Sequence, residues 1–230
     1  RMGVGADGLL MIKNVDAPYD FRMIYYNADG SRVDFCGNGG RCISWAAAEL
    51  LQKNDLKFIA DDGPHASSVF PEIKEVSLEM VPWKELQAPS LNHLFSDLKI
   101  PVKNSYMVDT GVPHLVIELK EITPAGFHEL SIQYWGNKIR YSDFFKDQGL
   151  NINFIIPGSK SHEIFQRTYE RGVEAETLSC GTGSVAVAVY RQRNVKADEY
   201  LVYTPGGINK IRLPDKGNPV LSGKVSPVYK

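Results

Sequence analysis

Hydrophobic and polar positions along the chain predict two helices among many short strands. In the first helical run, apolar residues recur at spacings of three and four from Cys42 to Leu51 and stop near Asn54. A second helix-like run, rich in small residues, covers Val185–Arg193. Between them, short apolar or aromatic runs alternate with turn residues, as strands do. The extended segments so predicted are Leu9–Lys13, Phe21–Tyr26, Val33–Phe35, Tyr106–Asp109, His114–Glu118, Ile132–Trp135, Asn153–Ile156 and Phe165–Tyr169.

Both predicted helices follow the same short motif at the end of a strand-rich segment. The motif is Cys36-Gly37-Asn38-Gly39 before the first helix and Cys180-Gly181-Thr182-Gly183 before the second. The two cysteines lie about one domain length apart in the chain. We therefore predict a duplicated α+β fold with two pseudo-symmetric domains, each a mostly antiparallel sheet or barrel around a central helix. The active site is expected in the cleft between them.

The domain limits are predicted from local composition. Prolines between Ala88 and Pro101 mark a boundary, which gives an N-terminal domain over residues 1–101 and a C-terminal domain over 102–218. Residues 219–230 are expected to form a terminal strand that returns to the first domain. Because the chain begins at Arg1 on a glycine-rich turn rather than at a methionine, we expect its amino terminus, and any targeting signal there, to be missing.

Composition excludes several classes of function. The formal net charge is −1 with a pI near 6.6, so the chain has no electrostatic footprint for nucleic acid or an anionic membrane. Its longest apolar runs are far shorter than a membrane-spanning helix. Three cysteines do not make a disulfide framework, and free thiols favour a cytoplasmic location.

The repeated cysteine motif suits proton transfer at carbon. A helix that starts at Cys-Gly-x-Gly directs its unpaired N–H groups and positive dipole end at whatever lies above it. This lowers the pKa of the thiol and offers a cradle for a carboxylate. With one thiolate and one thiol on opposite faces of an α-carbon, Cys36 and Cys180 would form the acid/base pair of a racemase or epimerase. Cys42, six residues after Cys36, is interpreted as core packing.

Other chemistry-bearing signals are weaker. Gly3–Gly8 matches the dinucleotide pattern G-x-G-x-x-G, but no strand is visible before it and a strand follows it, so we interpret it as a turn. The five histidines show no paired metal-ligand spacing and no C-x-x-C motif occurs, so no metal is expected.

The sequence resembles the diaminopimelate epimerase family in two long signatures. The first combines Tyr26-Asn27-Ala28-Asp29-Gly30-Ser31 with Cys36-Gly37-Asn38-Gly39-Gly40-Arg41-Cys42. The second runs from Tyr169-Glu170-Arg171-Gly172-Val173 into Glu176-Thr177-Leu178-Ser179-Cys180-Gly181-Thr182-Gly183. Further matches fall at Gly111–His114, Asn151–Phe154 and Thr204–Gly207, so the resemblance covers nearly the whole chain.

The resemblance implies a fold, an activity and a set of site residues. The activity would be the cofactor-independent conversion of LL-2,6-diaminopimelate to the meso form, in lysine and peptidoglycan precursor synthesis, with Cys36 and Cys180 as acid and base. The reacting carboxylate would be held by the backbone amides of Gly37, Asn38, Gly181 and Thr182. The distal amino-acid end would be bound by Asn27, Asn151, Glu170 and Arg171. The thiols would be tuned by His114 and Glu170.

Two alternatives remain open from the sequence. One is another amino-acid racemase of the same fold, of proline or glutamate type, although Glu170-Arg171 favours a substrate with amino-acid groups at both ends. The other is a thiol redox protein in which Cys36 and Cys180 form a disulfide. The expected partner is a small amino-acid substrate, with neither nucleic acid nor membrane, and a homodimer is the assembly under consideration.

Overall fold

The computed structural model describes residues 6 and 8–228. Residues 1–5 and 7, which hold most of the G-x-G-x-x-G motif, lie outside the described residues. The elements in chain order are β1 (Gly8–Lys13), β2 (Phe21–Asn27), β3 (Arg32–Val33), α1 (Gly37–Leu51), β4 (Asp55–Ala60), β5 (Gly63–Phe70), β6 (Glu75–Glu79), β7 (Lys84–Leu86), α2 (Asn92–Asp97), β8 (Val102–Asp109), β9 (Pro113–Leu119), α3 (Pro124–His128), α4 (Ile132–Arg140), β10 (Asn151–Pro157), β11 (Glu163–Glu170), β12 (Ala175–Thr177), α5 (Gly181–Gln192), β13 (Tyr200–Thr204), β14 (Gly207–Arg212) and β15 (Val220–Lys224).

The chain divides into two compact units, and the first is discontinuous in sequence. It comprises the chain up to Val81 together with the segment from Val220 onward. Its strands run in the order β1-β2-β4-β5-β6-β15, with β3 paired to β2, and all neighbours are antiparallel except β2 and β4. Strand β15 returns to pair with β6, so that Leu221 lies opposite Leu78.

Helix α1 packs against the sheet of this first unit. Its apolar face buries Ile43, Ala47 and Ala48, and it contacts β1, β2, β4, β5 and β6. On the sheet, Phe21 stacks on Phe58 with ring centroids 4.9 Å apart. The helix therefore forms because a stripe of small apolar residues at helical spacing covers a sheet face rich in larger side chains.

The second unit runs from Pro82 to Pro219. Its strand order is β14-β13-β11-β10-β9-β8-β7, with β12 paired to β11. The pairs β9–β10 and β11–β13 are parallel and the remaining pairs are antiparallel. Helix α5, buried from Val185 to Tyr190, contacts β8, β9, β10, β11, β13 and β14. The mixed α+β class predicted from the sequence is confirmed.

Alternation along the central strands separates two kinds of environment in the second unit. Ile152, Phe154 and Ile156 of β10 belong to an apolar cluster that also takes in residues of α2, α3 and α4. Because successive side chains on a strand point to opposite faces, Asn151 and Asn153 lie on the other face. The sheet thus has an apolar side and, on the side of α5, a side that carries buried polar groups.

Two local expectations differ from the structure. Ile132–Trp135, predicted as a strand, is the first turn of α4, in which Ile132, Gly136 and Ile139 are buried at helical spacing. The units divide after Val81 rather than after residue 101. Residues 82–101 lie with the second unit because β7 pairs with β8 and because Leu91, Phe95 and Ile100 are part of its apolar cluster.

Candidate active site

Cys36 occupies the N-cap of α1 in the first unit. Its backbone is extended (φ −140°, ψ 120°), and its Sγ accepts a hydrogen bond from the backbone N–H of Gly39 at 3.4 Å. The cysteine is partly exposed. A sulfur that accepts an N–H at the positive end of a helix is better stabilised as thiolate than as thiol.

The residues after Cys36 bring the first turn of α1 close to its surroundings. A Cβ on Gly40 would lie 2.8 Å from the ring of Phe35 and 2.9 Å from Leu78, so this position requires glycine. Asn38, one residue into the helix, accepts a hydrogen bond on Oδ1 from the guanidinium of the buried Arg41 at 2.7 Å. With Oδ1 bound in this way, the amide of Asn38 has a fixed orientation.

Asn27 lies at the end of β2 and opens the turn that leads to β3. Its backbone N–H donates to the carbonyl of Ser31 at 2.9 Å, and its carbonyl accepts from Gly30 at 3.0 Å. The side-chain amide donates to the Ser31 hydroxyl at 3.2 Å. The structure therefore places Asn27 in a hydrogen-bonded turn of the same unit as Cys36, Gly37 and Asn38.

Cys180 occupies the N-cap of α5, the equivalent position in the second unit. Its backbone is again extended (φ −114°, ψ 112°), and the free cysteine is only 5% exposed. Its Sγ lies 3.5 Å from the Oγ1 of Thr182, while the carbonyl of Thr182 accepts from Thr110 at 3.0 Å. The second thiol is thus also placed at a helix N-terminus, in a more buried setting than the first.

Glu170, the last residue of β11, lies beside Cys180. Burial raises the pKa of its carboxyl, while hydrogen bonds from Thr177 and Cys180 act in the opposite direction. The hydroxyl of Thr177 donates to Oε1 of this carboxyl. A carboxyl with a raised pKa in contact with a thiol is placed to exchange a proton with it.

Arg171 follows Glu170 and is held by the end of β10. Its backbone N–H donates to Oδ1 of Asn151 at 2.9 Å, and its guanidinium donates to the carbonyl of Gln148 at 3.3 Å. Gly149, at φ +66°, lies under this side chain, and a Cβ there would lie 2.9 Å from Cδ of Arg171. Asn151 therefore positions the backbone that carries Arg171.

His114 lies next to Asn151 on the adjacent parallel strand and is fully buried. Burial, aided by the charge of Arg171, lowers the pKa of its imidazole to about 3, so the ring is neutral at physiological pH. Its Nδ1 lies 3.2 Å from the Nδ2 of Asn153. Among the described residues, its Nε2 has no hydrogen-bond partner.

The site residues predicted from the sequence do not include a buried polar network that reaches the first turn of α5. This network joins Asn153 to Gln166, Thr168, Ser184 and Asn209, all buried. The detectable signal was a polar residue at every second position of an otherwise apolar strand, as at Asn151 and Asn153. The structure brings Cys180, Thr182, Glu170, Arg171, Asn151 and His114 together in the second unit; it places Cys36, Gly37, Asn38 and Asn27 in the first.

Within the residues that the structure describes, no group of three or more histidine, cysteine, aspartate or glutamate side chains is arranged to hold a metal ion. No helix in the same part of the chain has the length and hydropathy needed to cross a membrane.

Two curated relatives match most of this chain. A diaminopimelate epimerase from Flavobacterium psychrophilum is 40% identical over 190 residues, which cover 82% of this chain and 66% of that protein. A diaminopimelate epimerase from Aquifex aeolicus is 36% identical over 209 residues, covering 89% of this chain and 71% of that one. The chain therefore spans about two thirds of the length of these relatives.

Solved structures with the same fold are more distant in sequence. A phenazine biosynthesis protein of the PhzF family from Enterococcus faecalis superposes with a TM-score of 0.67 at 13% identity, over 95% of this chain and 79% of that one. A hydroxyproline epimerase from Agrobacterium vitis gives a TM-score of 0.64 at 15% identity, over 94% and 72%. The family model for diaminopimelate epimerase matches residues 1–83 and 106–228, and this chain belongs to the diaminopimelate epimerase family.

Proposed function

We propose that this protein interconverts LL-2,6-diaminopimelate and meso-diaminopimelate without a cofactor, using Cys36 and Cys180 as its two acid/base groups. The observation that carries the proposal is that both cysteines are N-caps of helices with the same Cys-Gly-x-Gly start. Membership of the family supplies the substrate. The product would serve lysine and peptidoglycan precursor synthesis in the cytoplasm, where thiols stay reduced.

The chemistry requires the two sulfurs to be in different protonation states. One thiolate removes the α-proton and the other thiol delivers a proton to the opposite face, so that each turnover leaves the pair reversed. The sulfur of Cys36, which accepts the N–H of Gly39, is the better stabilised anion in the resting enzyme. Cys180 contacts Glu170, whose raised pKa favours a shared proton at that position.

Binding of the substrate follows from groups with fixed orientation. The first-turn amides of Gly37, Asn38, Gly181 and Thr182 would receive the carboxylate at the reacting carbon, since helix N-termini bind anions. At the distal end, Arg171 can bind a carboxylate through two N–H groups. The ammonium group at that end can be bound by Glu170, Asn27 and Asn151. A substrate with amino-acid groups at both ends would use all of these residues.

The test measures exchange of the α-proton in D2O with full-length, reduced protein. LL-diaminopimelate, glutamate and proline are incubated separately, with Cys36→Ser, Cys180→Ser and Cys42→Ser variants in parallel. Exchange and epimerisation are expected only with diaminopimelate, and each of the first two variants should slow epimerisation by about 10²-fold or more. Cys42, interpreted from the sequence as core packing, is instead exposed on the same helix as Cys36 and provides the matched control.

Each alternative predicts a different outcome. Exchange confined to proline or glutamate would assign the protein to another racemase of this fold. The redox function would be favoured by the absence of α-proton exchange with all three substrates, together with reversible formation of a disulfide between Cys36 and Cys180. Epimerisation that survives in both serine variants would exclude the two-thiol mechanism.

A further inference from the structure

The buried ring of His114 has one nitrogen bound and the other without a partner. Nδ1 lies 3.2 Å from the side-chain amide nitrogen of Asn153, which also reaches the carbonyl of Leu115 at 3.4 Å. In the described part of the chain, Nε2 has no hydrogen-bond partner although the side chain is wholly buried. A buried polar atom without a partner is costly unless it serves a group that arrives later.

The polarity of the contact with Asn153 is set by its other neighbours. Oδ1 of Asn153 accepts from Nε2 of Gln166 at 3.0 Å and from the hydroxyl of Thr168 at 3.0 Å. Both donors face the same oxygen, so the amide nitrogen must face His114. An amide orientation assigned from such a network is well determined when every neighbour has a fixed role.

The role of Gln166 is fixed one step further away. Its Oε1 accepts from the hydroxyl of Ser184 at 2.9 Å, which leaves its Nε2 to donate to Asn153. Ser184 in turn accepts from Nδ2 of Asn209 at 2.9 Å. The Ser184 hydroxyl also lies 3.1 Å from the carbonyl of Cys180, so its one proton has two possible acceptors. The fixed reference is the backbone carbonyl of Leu115, which can only accept and faces Nδ2 of Asn153 at 3.4 Å, so the amide of Asn153 donates on the side of His114.

This direction has a consequence for the imidazole. Because the amide of Asn153 can only donate, Nδ1 of His114 must be the acceptor and the ring proton must lie on Nε2. A second proton is disfavoured by burial and by the charge of Arg171, while the neighbours on β10, Asn151 and Asn153, are uncharged. Because Nδ1 accepts the hydrogen bond from Asn153 and Nε2 already carries a proton, neither ring nitrogen has a free lone pair with which to accept another proton.

We propose that Asn153 is a positioning residue of the epimerase, which fixes His114 as the neutral Nε2–H tautomer. His114 then acts as a neutral hydrogen-bond donor to an anionic acceptor in the working site rather than as a general base. This inference deepens the function proposed above and rests on it. Asn153 lies on β10, outside the two cysteine motifs, whose cysteines are the N-caps of α1 and α5.

The same amide also supports the turn that carries Cys180. A Cβ on Gly183 would lie 2.4 Å from Oδ1 of Asn153, 2.9 Å from Nε2 of Gln166 and 3.2 Å from Cβ of Cys180. The absence of a side chain at Gly183 lets the network pack directly under the first turn of α5. The amide that contacts His114 therefore also packs against the turn that follows Cys180.

The test is nitrogen-15 NMR of histidine-labelled protein without substrate, with His114→Gln used to assign the resonances. Wild-type protein should show His114 as a single neutral Nε2–H tautomer from pH 5 to pH 8. Asn153→Asp keeps the size and the oxygen that faces Gln166 but replaces the donor by an acceptor. His114 should then carry its proton on Nδ1, or become protonated on both nitrogens.

Activity provides the second readout. Asn153→Asp should lower kcat by roughly 10- to 100-fold, the usual effect of losing a partner that orients an imidazole, and should add an ionisation to the pH profile of kcat/KM. Thr168→Val is the matched control, because it removes a bond to Oδ1 of Asn153 and leaves Nδ2 on His114. It should keep the tautomer and the shape of the pH profile. Asn153→Ala, which leaves Nδ1 without a donor, serves if the aspartate variant does not fold, and should give a mixture of tautomers.

Failure of this inference is distinguishable from failure of the proposed function. An Nδ1–H tautomer or an imidazolium in wild-type protein would overturn the inference, whatever the activity. Unchanged resonances in both Asn153 variants would do the same. Wild-type protein without α-proton exchange on diaminopimelate would instead overturn the proposed function, since the NMR measurement uses no substrate.

Discussion

The hydroxyl of Thr177 donates a hydrogen bond to the partly buried carboxyl of Glu170 across the β11–β12 hairpin. The same carboxyl is in contact with Cys180, so one short polar chain runs from a strand end to the candidate catalytic sulfur. Burial raises the pKa of Glu170, and the hydroxyl of Thr177 limits that rise because it stabilises the carboxylate. Thr177 thus influences the protonation state beside Cys180 through the carboxyl of Glu170.

Thr177→Val should move the pH profile of the enzyme. Loss of the hydroxyl raises the pKa of Glu170 further, so the acidic limb of kcat/KM is expected to shift to higher pH, with a smaller change at the alkaline side. The measurement is kcat/KM for LL-diaminopimelate between pH 5 and pH 9. Thr204→Val, which removes an exposed hydroxyl bond to the carbonyl of Gly207, is the control and should leave the profile in place. Coincident acidic limbs for Thr177→Val and wild type would contradict this account.

His114 should make the protein sensitive to acid. Its pKa in the folded protein, about 3, lies below the usual value of 6.5, so the unfolded chain binds a proton that the folded chain excludes. The stability from this group is complete above about pH 6.5 and is lost as the pH falls, with a loss on the order of 2 kcal/mol at pH 5. His114→Gln lacks this proton and should lose correspondingly less between pH 7 and pH 5.

Urea unfolding at the two pH values measures this difference. The comparison is the change in the free energy of unfolding from pH 7 to pH 5, so an overall cost of the substitution cancels. His93→Gln, at an exposed histidine of α2, is the control and should follow wild type. Equal losses in wild-type and His114→Gln proteins would show that His114 is not held neutral by burial.

Sequence reasoning identified the parts of the site that depend on local structure. A cysteine followed by glycines and then by small apolar residues forms an N-cap and a helix whatever lies around it, and both Cys36 and Cys180 are N-caps. The prediction of a strand at Ile132–Trp135 was wrong because four residues are too few to distinguish a strand from a helix. The spacing of Ile132, Gly136 and Ile139 shows the helix only over a longer window.

The remaining features depend on partners that are distant in sequence. Leu91 and Phe95 are apolar in any assignment, and only packing shows that they belong to the second unit. In the same way, Asn153 and Gln166 are recognisable as polar residues in buried strands, but the orientation of the Asn153 amide comes from the carbonyl of Leu115 and the hydroxyl of Thr168. A sequence gives the donors and acceptors and does not give their pairing.

Gly183→Ala should destabilise the protein even though alanine favours a helix. The added Cβ would lie 2.4 Å from Oδ1 of Asn153 and 2.9 Å from Nε2 of Gln166, which are held by other bonds and cannot move freely. Overpacking of this kind typically costs about 1–3 kcal/mol, more than the roughly 1 kcal/mol of helix propensity that alanine adds. The free energy of unfolding in urea is the measurement.

Gly126→Ala is the matched control, since Gly126 is also helical but a Cβ there would lie 3.3 Å from the hydroxyl of Thr123 and 4.0 Å from Cγ2 of Ile122. Its free energy of unfolding should change by less than about 1 kcal/mol. A Gly183→Ala protein as stable as Gly126→Ala would mean that the hydrogen-bond network of Asn153 and Gln166 can shift at little cost in free energy. The amide of Asn153 would then be too loosely held to orient His114.

Leu221→Ala should weaken the first unit through its last strand. Leu221 of β15 is fully buried opposite Leu78 of β6, and Leu78 approaches the first turn of α1 at Gly40. Removal of a buried leucine side chain costs about 2–5 kcal/mol, whereas Val220→Ala, at a partly exposed position beside it, should cost less. Hydrogen exchange should show faster opening of the β6 amides in Leu221→Ala, with little change at Val220→Ala. Because Leu78 of β6 packs against the first turn of α1, the amides of the turn that carries Cys36 should lose protection from hydrogen exchange together with those of β6. Unchanged protection at both places would show that β15 contributes nothing to the packing behind Cys36.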